Sequence, residues 1–342
     1  MMRAESSSSR PVRISVRKKV FFSCVLAVCL WGFLEIACRL TGLGATRETH
    51  HDIANWKLQW DSDFYVFDVQ HVDPAFSINR DGLRDRTHVE NAAADTLRVV
   101  CLGDSVTYGY GVSWEKSYPR FLERELNKSG NVEVFNVALP GWSTRQQRIA
   151  YERIVRRYRP DYVILGVCLN DIPEMHNNLA SPPPRFVGML YRHSNLVRCL
   201  LPGQQHEIRQ VVELFTHPGA PRVRAAWELV LKEIQSLARM VEADGAQFGL
   251  LVFPFRRQVL PDPPPAGPQE EFRQYCQTEK VRFWDAREAL QQLGTQGFID
   301  YDHLSAEGAT AVARQISQSR WIVPHPARDE PLQVNTGQTE SP

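Results

Sequence analysis

Residues 97–105 read LRVVCLGDS, an apolar run that ends at Gly103 and leads into Asp104 and Ser105. A short apolar run bounded by a turn signal is typical of a buried β-strand. Helical spacing follows, and the alternation repeats along the chain. We expect strands at 97–102, 132–138, 162–167, 248–253 and 281–284, and helices at 117–128, 144–158, 222–243, 269–279 and 305–319. Strands alternating with helices predict an α/β fold, with a parallel sheet covered by helices on both faces.

Candidate chemical residues follow three of the predicted strands. Ser105 comes after the first strand, Gly141 after the second and Asn170 after the third. Ligand sites in parallel sheets lie at the carboxyl ends of the strands, so these positions share one edge. Each alone has an ordinary structural explanation, because Asp-Ser pairs cap helices, Pro-Gly forms turns and asparagine does both.

The fifth predicted strand is followed by DYDH at residues 300–303. A histidine within hydrogen-bond reach of a serine can accept its proton, and a carboxylate on the other ring nitrogen fixes the tautomer. Residues three apart can share one tight turn, so we expect Asp300 to reach the imidazole of His303. Asp302 is adjacent to the histidine in sequence, and we expect it to point elsewhere.

The set resembles a family, the SGNH (GDSL-type) hydrolases. The four residues that give this family its name match, in order and context, Ser105, Gly141, Asn170 and His303. The acid of the family's D-x-x-H block matches Asp300. The resemblance covers roughly residues 97–316, and residues 78–85 resemble the segment before the catalytic domain in membrane-anchored bacterial relatives. There are two departures, since Val106 replaces a leucine and Cys168 stands where many members have glycine.

The resemblance implies a flavodoxin-like three-layer sandwich with a five-stranded parallel sheet, the SGNH hydrolase fold. It also implies a serine esterase, a carboxylic ester hydrolase that works through an acyl-serine with no metal or organic cofactor. Ser105 would be the nucleophile, His303 the base and Asp300 the acid. The oxyanion hole would consist of the N–H groups of Ser105 and Gly141 and the side chain of Asn170.

The N-terminus predicts a membrane segment. Residues 1–19 carry six arginines and lysines, and residues 20–40 are mostly apolar. A basic flank before an apolar run indicates insertion with the basic end in the cytoplasm, which exports the rest of the chain to the periplasm or the cell exterior. The residues around Cys38 and Ala45 fit a cleavage site poorly, so we favour an uncleaved transmembrane signal-anchor. Secretion after signal cleavage is the alternative.

Composition shifts suggest the remaining boundaries. We expect residues 41–96 to be a lead segment that packs on the main domain, and residues 97–321 to be the hydrolase domain. An insertion at about 172–221, proline-rich and with few periodic apolar positions, predicts loops and short helices beside the active face. The polar residues 322–342 predict a disordered tail.

Charge and cysteine content exclude some partners and leave one question open. A formal net charge of +1 gives no overall attraction to nucleic acid. No Cys-x-x-Cys or Cys/His spacing indicates zinc. Cys199 and Cys276 could pair, and sequence alone does not decide this.

An exported serine esterase suggests a substrate in the cell envelope. We expect removal of a small acyl group from an envelope carbohydrate or a related small-molecule ester. An O-acyltransferase, in which a sugar hydroxyl replaces water at the same acyl-serine, is the alternative that the sequence leaves open. A non-catalytic binding protein on this fold is disfavoured, because the full set of catalytic residue types is present.

Overall fold

The computed structural model describes residues 15–43, 58–61, 64–70, 77–91, 93, 95–172, 186, 190, 193–200 and 204–323. Contacts divide the chain into two compact units. Residues 1–47 and 183–203 form the N-terminal unit, and residues 48–182 and 204–342 form the main unit. Most of the expected basic terminus, the proline-rich stretch at 181–184 and the expected tail from residue 324 onward lie outside the described residues.

Helices and strands alternate along most of the main unit, as the sequence predicts. In chain order the α-helices and β-strands of the described residues are α1 (Val16–Thr41), β1 (Leu58–Asp61), β2 (Phe64–Phe67), β3 (Leu97–Gly103), α2 (Ser105–Tyr108), α3 (Tyr118–Leu126), β4 (Val132–Ala138), α4 (Thr144–Ala150), β5 (Tyr162–Cys168), α5 (Asn195–Leu200), α6 (Gln204–Thr216), α7 (Pro221–Ala243), β6 (Gln247–Phe253), α8 (Gly267–Glu279), β7 (Arg282–Asp285), α9 (Arg287–Leu290) and α10 (Ala306–Gln318). Short 3₁₀ turns lie at 114–116, 256–259 and 294–297.

The main unit contains a five-stranded sheet in the order β4-β3-β5-β6-β7. All four strand pairings are parallel, which confirms the predicted α/β fold. Every residue of β3 and β5 is buried, as the uninterrupted apolar runs predict for central parallel strands. In the register of the sheet, Gly103 on β3 lies opposite Ala138 on β4 and Gly166 on β5.

Helices flank the sheet in packed pairs. Helix α3 packs with α10, and α4 packs with α7. The buried face of α7 repeats every three or four residues, as expected for an amphipathic helix, at Val230, Ile234, Leu237 and Val241. The expected helix at 144–158 begins as α4 and continues as one π-helical and one 3₁₀ turn, ending at Tyr158. Helix α6, of 13 residues, lies in a region where the sequence indicated only short helices.

Residues of the lead segment pack into the core of the main unit. Strands β1 and β2 form an antiparallel hairpin whose Phe64, Tyr65 and Phe67 are buried in the same hydrophobic cluster as the sheet. The Tyr65 hydroxyl donates to the carbonyl of Pro140 at 2.8 Å, and the Trp142 indole donates to the Tyr65 carbonyl at 3.1 Å. The hairpin therefore braces the turn that holds Gly141.

The N-terminal unit contains α1 and α5. Helix α1 has 26 residues, about 39 Å at 1.5 Å per residue, and ends at Gly42 in the left-handed conformation. Of the helices the structure describes, α1 is the one long and apolar enough to cross a membrane, a test that an N-terminal signal sequence also passes. Cys199 in this unit and Cys276 in the main unit are both free thiols.

Candidate active site

Ser105 is the first residue of α2, directly beyond the end of β3. The Asp104 carboxylate caps the helix by accepting the backbone N–H of Val106 at 2.9 Å. A side chain at Gly103 would collide with Thr107, because a Cβ there would lie 2.0 Å from the Thr107 hydroxyl oxygen. The glycine thus allows the helix to turn tightly against the strand end, and it fixes the buried serine at the carboxyl edge of the sheet.

His303 lies between the serine and two carboxylates. Its Nε2 is 2.9 Å from Oγ of Ser105. Its Nδ1 is 2.7 Å from Oδ2 of Asp300 and 3.0 Å from Oδ1 of Asp302. With the proton on Nδ1, the ring donates to a carboxylate, and Nε2 is left to accept the serine hydroxyl proton. The structure therefore brings together the three residues that the sequence singled out for nucleophile, base and acid.

The loop that carries Asp300 is folded by the same carboxylate. Oδ1 of Asp300 accepts the backbone N–H groups of Asp302 at 3.1 Å and His303 at 2.9 Å. The N–H of Ile299 donates to the carbonyl of His303 at 2.9 Å, which closes the turn. One oxygen of Asp300 thus accepts backbone N–H groups, which forms an Asx-type turn. The other oxygen contacts the imidazole and orients it.

The expectation that Asp302 points elsewhere is wrong. Asp302 is buried, with 1% of its surface exposed, and its carboxylate converges on the Nδ1 atom that Asp300 also contacts. Its other oxygen lies 3.9 Å from the thiol sulfur of Cys168, which donates to it. Sequence adjacency would separate the side chains in an extended chain, but the tight turn at Asp300 brings them to the same side. The sequence did contain a signal for this contact, since an acidic residue directly precedes the histidine.

The two carboxylates set the charge state of His303. Burial alone would lower the pKa of the imidazole, but the charges of Asp302 and Asp300 and the hydrogen bond to Asp300 outweigh it and raise that pKa to about 9. For Asp300, burial acts in the opposite direction, yet the hydrogen bond and charge of His303 lower the pKa of the carboxyl to about 2. The site therefore favours an imidazolium whose Nδ1 faces the two carboxylates.

The strand order places Gly141 and Asn170 on the two sides of Ser105. Strand β3 lies between β4 and β5, and Gly141 and Asn170 follow these two neighbours at the same edge of the sheet. Gly141 has a φ of 81°, a conformation that favours glycine. Asn170 is buried, and it lies in a turn closed by Asp171, whose carboxylate accepts the N–H of Cys168 at 3.1 Å.

The sequence reasoning missed two further residues, Tyr110 beside the histidine and Arg84, which holds the loop that carries Tyr110. The ring of Tyr110 lies 4.6 Å from the His303 ring, centroid to centroid. Arg84, within the lead segment, donates to the carbonyls of Gly109 at 2.9 Å and Val112 at 2.6 Å, on either side of Tyr110 in the chain. A buried arginine in the lead segment thus supports one wall of the site.

The histidine and the two carboxylates beside it also have the spacing of a metal site. Among the described residues, Asp300, Asp302 and His303 offer one ligand atom each within 4.8 Å of one another. Both ring nitrogens of His303 already have partners, Ser105 on one side and the carboxylates on the other.

Comparisons with known proteins identify the family of the chain. Residues 101–311 match the model of the GDSL-like lipase/acylhydrolase family. A comparison with curated proteins gave no match. Similar solved structures include a putative lipolytic protein of the G-D-S-L family from Desulfitobacterium hafniense DCB-2, 16% identical, covering 65% of this chain and 98% of that chain, with a TM-score of 0.41.

Two other solved structures show a similarly low sequence identity to this chain. A catalytic mutant of Axe2, an acetylxylan esterase from Geobacillus stearothermophilus, is 14% identical and covers 71% of this chain and 100% of its own, with a TM-score of 0.45. TesA is 16% identical, and the match covers 66% of this chain and 98% of TesA, with a TM-score of 0.44. At these TM-scores the substrates of the neighbours carry no argument for this chain.

Proposed function

The chain belongs to the GDSL-like lipase/acylhydrolase family, and we therefore propose that it is a carboxylic ester hydrolase with Ser105 as its nucleophile. The observation that carries the proposal is the hydrogen-bonded row from Ser105 Oγ through His303 to the Asp300 carboxylate, with links of 2.9 Å and 2.7 Å. These are the distances required of a nucleophile, a base and the group that orients the base.

Acylation begins when Oγ of Ser105 attacks the ester carbonyl carbon. Nε2 of His303 takes the hydroxyl proton, and Asp300 and Asp302 stabilise the imidazolium that results. As the tetrahedral intermediate collapses, Nε2 gives this proton to the leaving alcohol and an acyl-serine remains. Nε2 then deprotonates a water molecule, which attacks the acyl carbon and releases the carboxylic acid and free Ser105.

The oxyanion in each step needs donors on both sides of the serine. We assign this role to the N–H groups of Ser105 and Gly141 and to the side-chain amide of Asn170. Their positions after three adjacent strands support the assignment. Each such donor is typically worth about 3 kcal/mol of transition-state stabilisation.

The proposed substrate is a small acyl ester of an envelope carbohydrate or a related molecule. Helix α1, preceded by a basic sequence, supports membrane anchoring with the main unit outside the cytoplasm. In that setting no cytoplasmic acyl donor is at hand, which favours hydrolysis of esters already present in the envelope.

Hydrolysis of p-nitrophenyl acetate and p-nitrophenyl dodecanoate by the full chain in detergent tests the proposal. We expect turnover of the acetyl ester, and loss of about 10⁴-fold or more in kcat for Ser105→Ala. Ser143→Ala is the matched control, because Ser143 is also buried and also follows a strand, yet it caps α4. Equal activity of Ser105→Ala and the wild type would contradict the proposal, and acyl product on an added sugar would indicate transfer.

A further inference from the structure

Helix α1 carries a carboxylate within its apolar surface. Glu35 has a side chain only 15% exposed, whereas its apolar neighbours Leu34 and Ile36 are exposed. Oε2 of Glu35 accepts the hydroxyl of Ser194 at 2.7 Å and the N–H of Leu196 at 2.9 Å. Its Oε1 accepts the N–H of Asn195 at 3.1 Å and also Nε of Arg39, on the next turn of α1, at 2.7 Å.

These bonds make Glu35 the N-terminal cap of α5. The first N–H groups of a helix have no partner within the helix, and a negative charge there is favourable. Two further bonds hold the same segment, since Arg39 donates to the carbonyl of His193 at 2.8 Å and the Asn195 amide donates to the carbonyl of Leu43 at 3.2 Å. Leu196 and Val197 are buried within this unit.

The position of Glu35 along α1 sets how deep in a bilayer the segment bound to it, residues 193–200, would lie. Lys19 closes the basic cluster and Glu35 is sixteen residues later, a rise of about 24 Å. The hydrocarbon core of a bilayer is about 30 Å thick, so Glu35 falls inside the outer boundary of that core when the basic cluster lies at the inner one. A carboxylate at that depth needs internal partners, and α5 supplies them.

The docked segment also exposes apolar side chains. Leu200 at the end of α5 is 67% exposed and Leu190 is 42% exposed, alongside Leu40 on α1 at 83%. Exposed leucines beside a membrane-spanning surface are typical of an element that lies in the membrane interface.

We propose that residues 193–200, together with Leu190, form an interfacial element whose leucines enter the outer leaflet of the lipid bilayer, and that Glu35 docks this element on α1. The proposal rests on the membrane-spanning role of α1 within the proposed function. Residues 183–203 lie between β5 and α6 in the chain, so the sequence passes between the two units at three points, after residues 47, 182 and 203.

Photocrosslinking to lipid tests the proposal in the full chain. Leu200 is replaced by p-benzoylphenylalanine, and the protein is reconstituted in phosphatidylcholine vesicles that carry an alkyne-tagged phospholipid. Irradiation should attach tagged lipid at position 200, as it should at Leu26 on the exposed surface of α1. Thr278 on α8, exposed and polar, is the matched negative position.

The variant Glu35→Ala tests the docking step. We expect it to lower the lipid adduct at position 200 by about fivefold, the effect of losing one helix cap, and to leave the adduct at position 26 unchanged. Lipid attachment at 26 without attachment at 200 would overturn this proposal alone. No attachment at either position would overturn it together with the membrane anchor, and an unchanged adduct in Glu35→Ala would overturn the role of Glu35.

Discussion

Two histidines of the main unit each lie against two carboxylates, and they differ in what the ring nitrogens meet. At His88, Nε2 is 2.9 Å from Asp85 and Nδ1 is 2.6 Å from Glu133, so each nitrogen has its own carboxylate. At His303, both carboxylates converge on Nδ1, and Nε2 meets the hydroxyl of Ser105. The same residue types thus build a closed ion cluster in one place and an open proton acceptor in the other.

The surroundings of His88 complete the closed cluster. Its ring stacks on Phe135 with centroids 3.7 Å apart, and Nε of Arg98 donates to Glu133 at 3.0 Å. Asp85 accepts the backbone N–H of Asn136 at 2.7 Å. The cluster therefore ties the lead segment to β4, and its chemistry is structural because no ring nitrogen faces a nucleophile.

Both imidazoles have a raised pKa, so the pKa alone does not identify His303 as the proposed base. Burial would lower the pKa of His88, but the hydrogen bonds to Asp85 and Glu133 outweigh it. Such a group contributes stability that is fully present below its unfolded pKa of about 6.5 and is lost as the pH rises through the folded value. What separates His303 is the hydroxyl on Nε2, not its electrostatics.

Replacing each histidine by alanine gives the largest expected contrast. His303→Ala should lower kcat on p-nitrophenyl acetate by about 10⁴ to 10⁶-fold. His88→Ala should instead lower the free energy of unfolding by about 3–5 kcal/mol, because Asp85 and Glu133 are left without the cation between them. Its kcat per folded molecule should be unchanged. Denaturant titration and active-site-normalised kinetics measure the two effects, and a catalytic loss in folded His88→Ala would break the contrast.

The two carboxylates on Nδ1 should also differ. Asp300→Asn should lower kcat by about 10³ to 10⁴-fold, because the amide at the 2.7 Å contact favours the wrong imidazole tautomer and weakens the turn. Asp302→Asn should cost only about tenfold, since Asp300 still orients the ring. Steady-state kinetics of both variants at one pH decide this. Equal losses would mean that the two carboxylates act as one unit.

The pH dependence of kcat/KM should report the charge state of His303. Nε2 accepts the serine proton only when the imidazole is neutral, so kcat/KM should rise with pH through a pKa of about 9 and level off above it. In Asp302→Asn the rise of kcat/KM should occur at lower pH, because the negative charge of Asp302, which raises the pKa of His303, is gone. A limb at or below about pH 6.5, the ordinary value for histidine, would show that the carboxylates do not raise this pKa.

Most of the fold was predictable because central parallel strands are read from continuous apolar runs. Strand β4 occupies residues 132–138, the range expected from sequence, and β3 extends the expected strand by one residue. Helix α6 was predictable in principle, because Ile208, Val211, Val212 and Phe215 have helical spacing. It was missed because the proline-rich stretch before it led us to expect loops and short helices throughout the insertion.

The candidate site was predictable where its residues follow strand ends. Ser105, Gly141 and Asn170 share an edge because the strands before them are neighbours, and the roles assigned to them stay predictions. Asp302 was misplaced because its direction depends on a turn closed by another side chain. The His88 cluster joins residues 45 positions apart through tertiary contact, which local pattern does not encode.

Covalent labelling with a fluorophosphonate tests the central claim most directly. The reagent captures an activated serine with loss of fluoride, and digestion with mass spectrometry locates the adduct. The account predicts one adduct, on the peptide that contains Ser105, formed by the wild type and by His88→Ala but greatly slowed in His303→Ala. An adduct on Ser143, or undiminished labelling of Ser105→Ala, would contradict it.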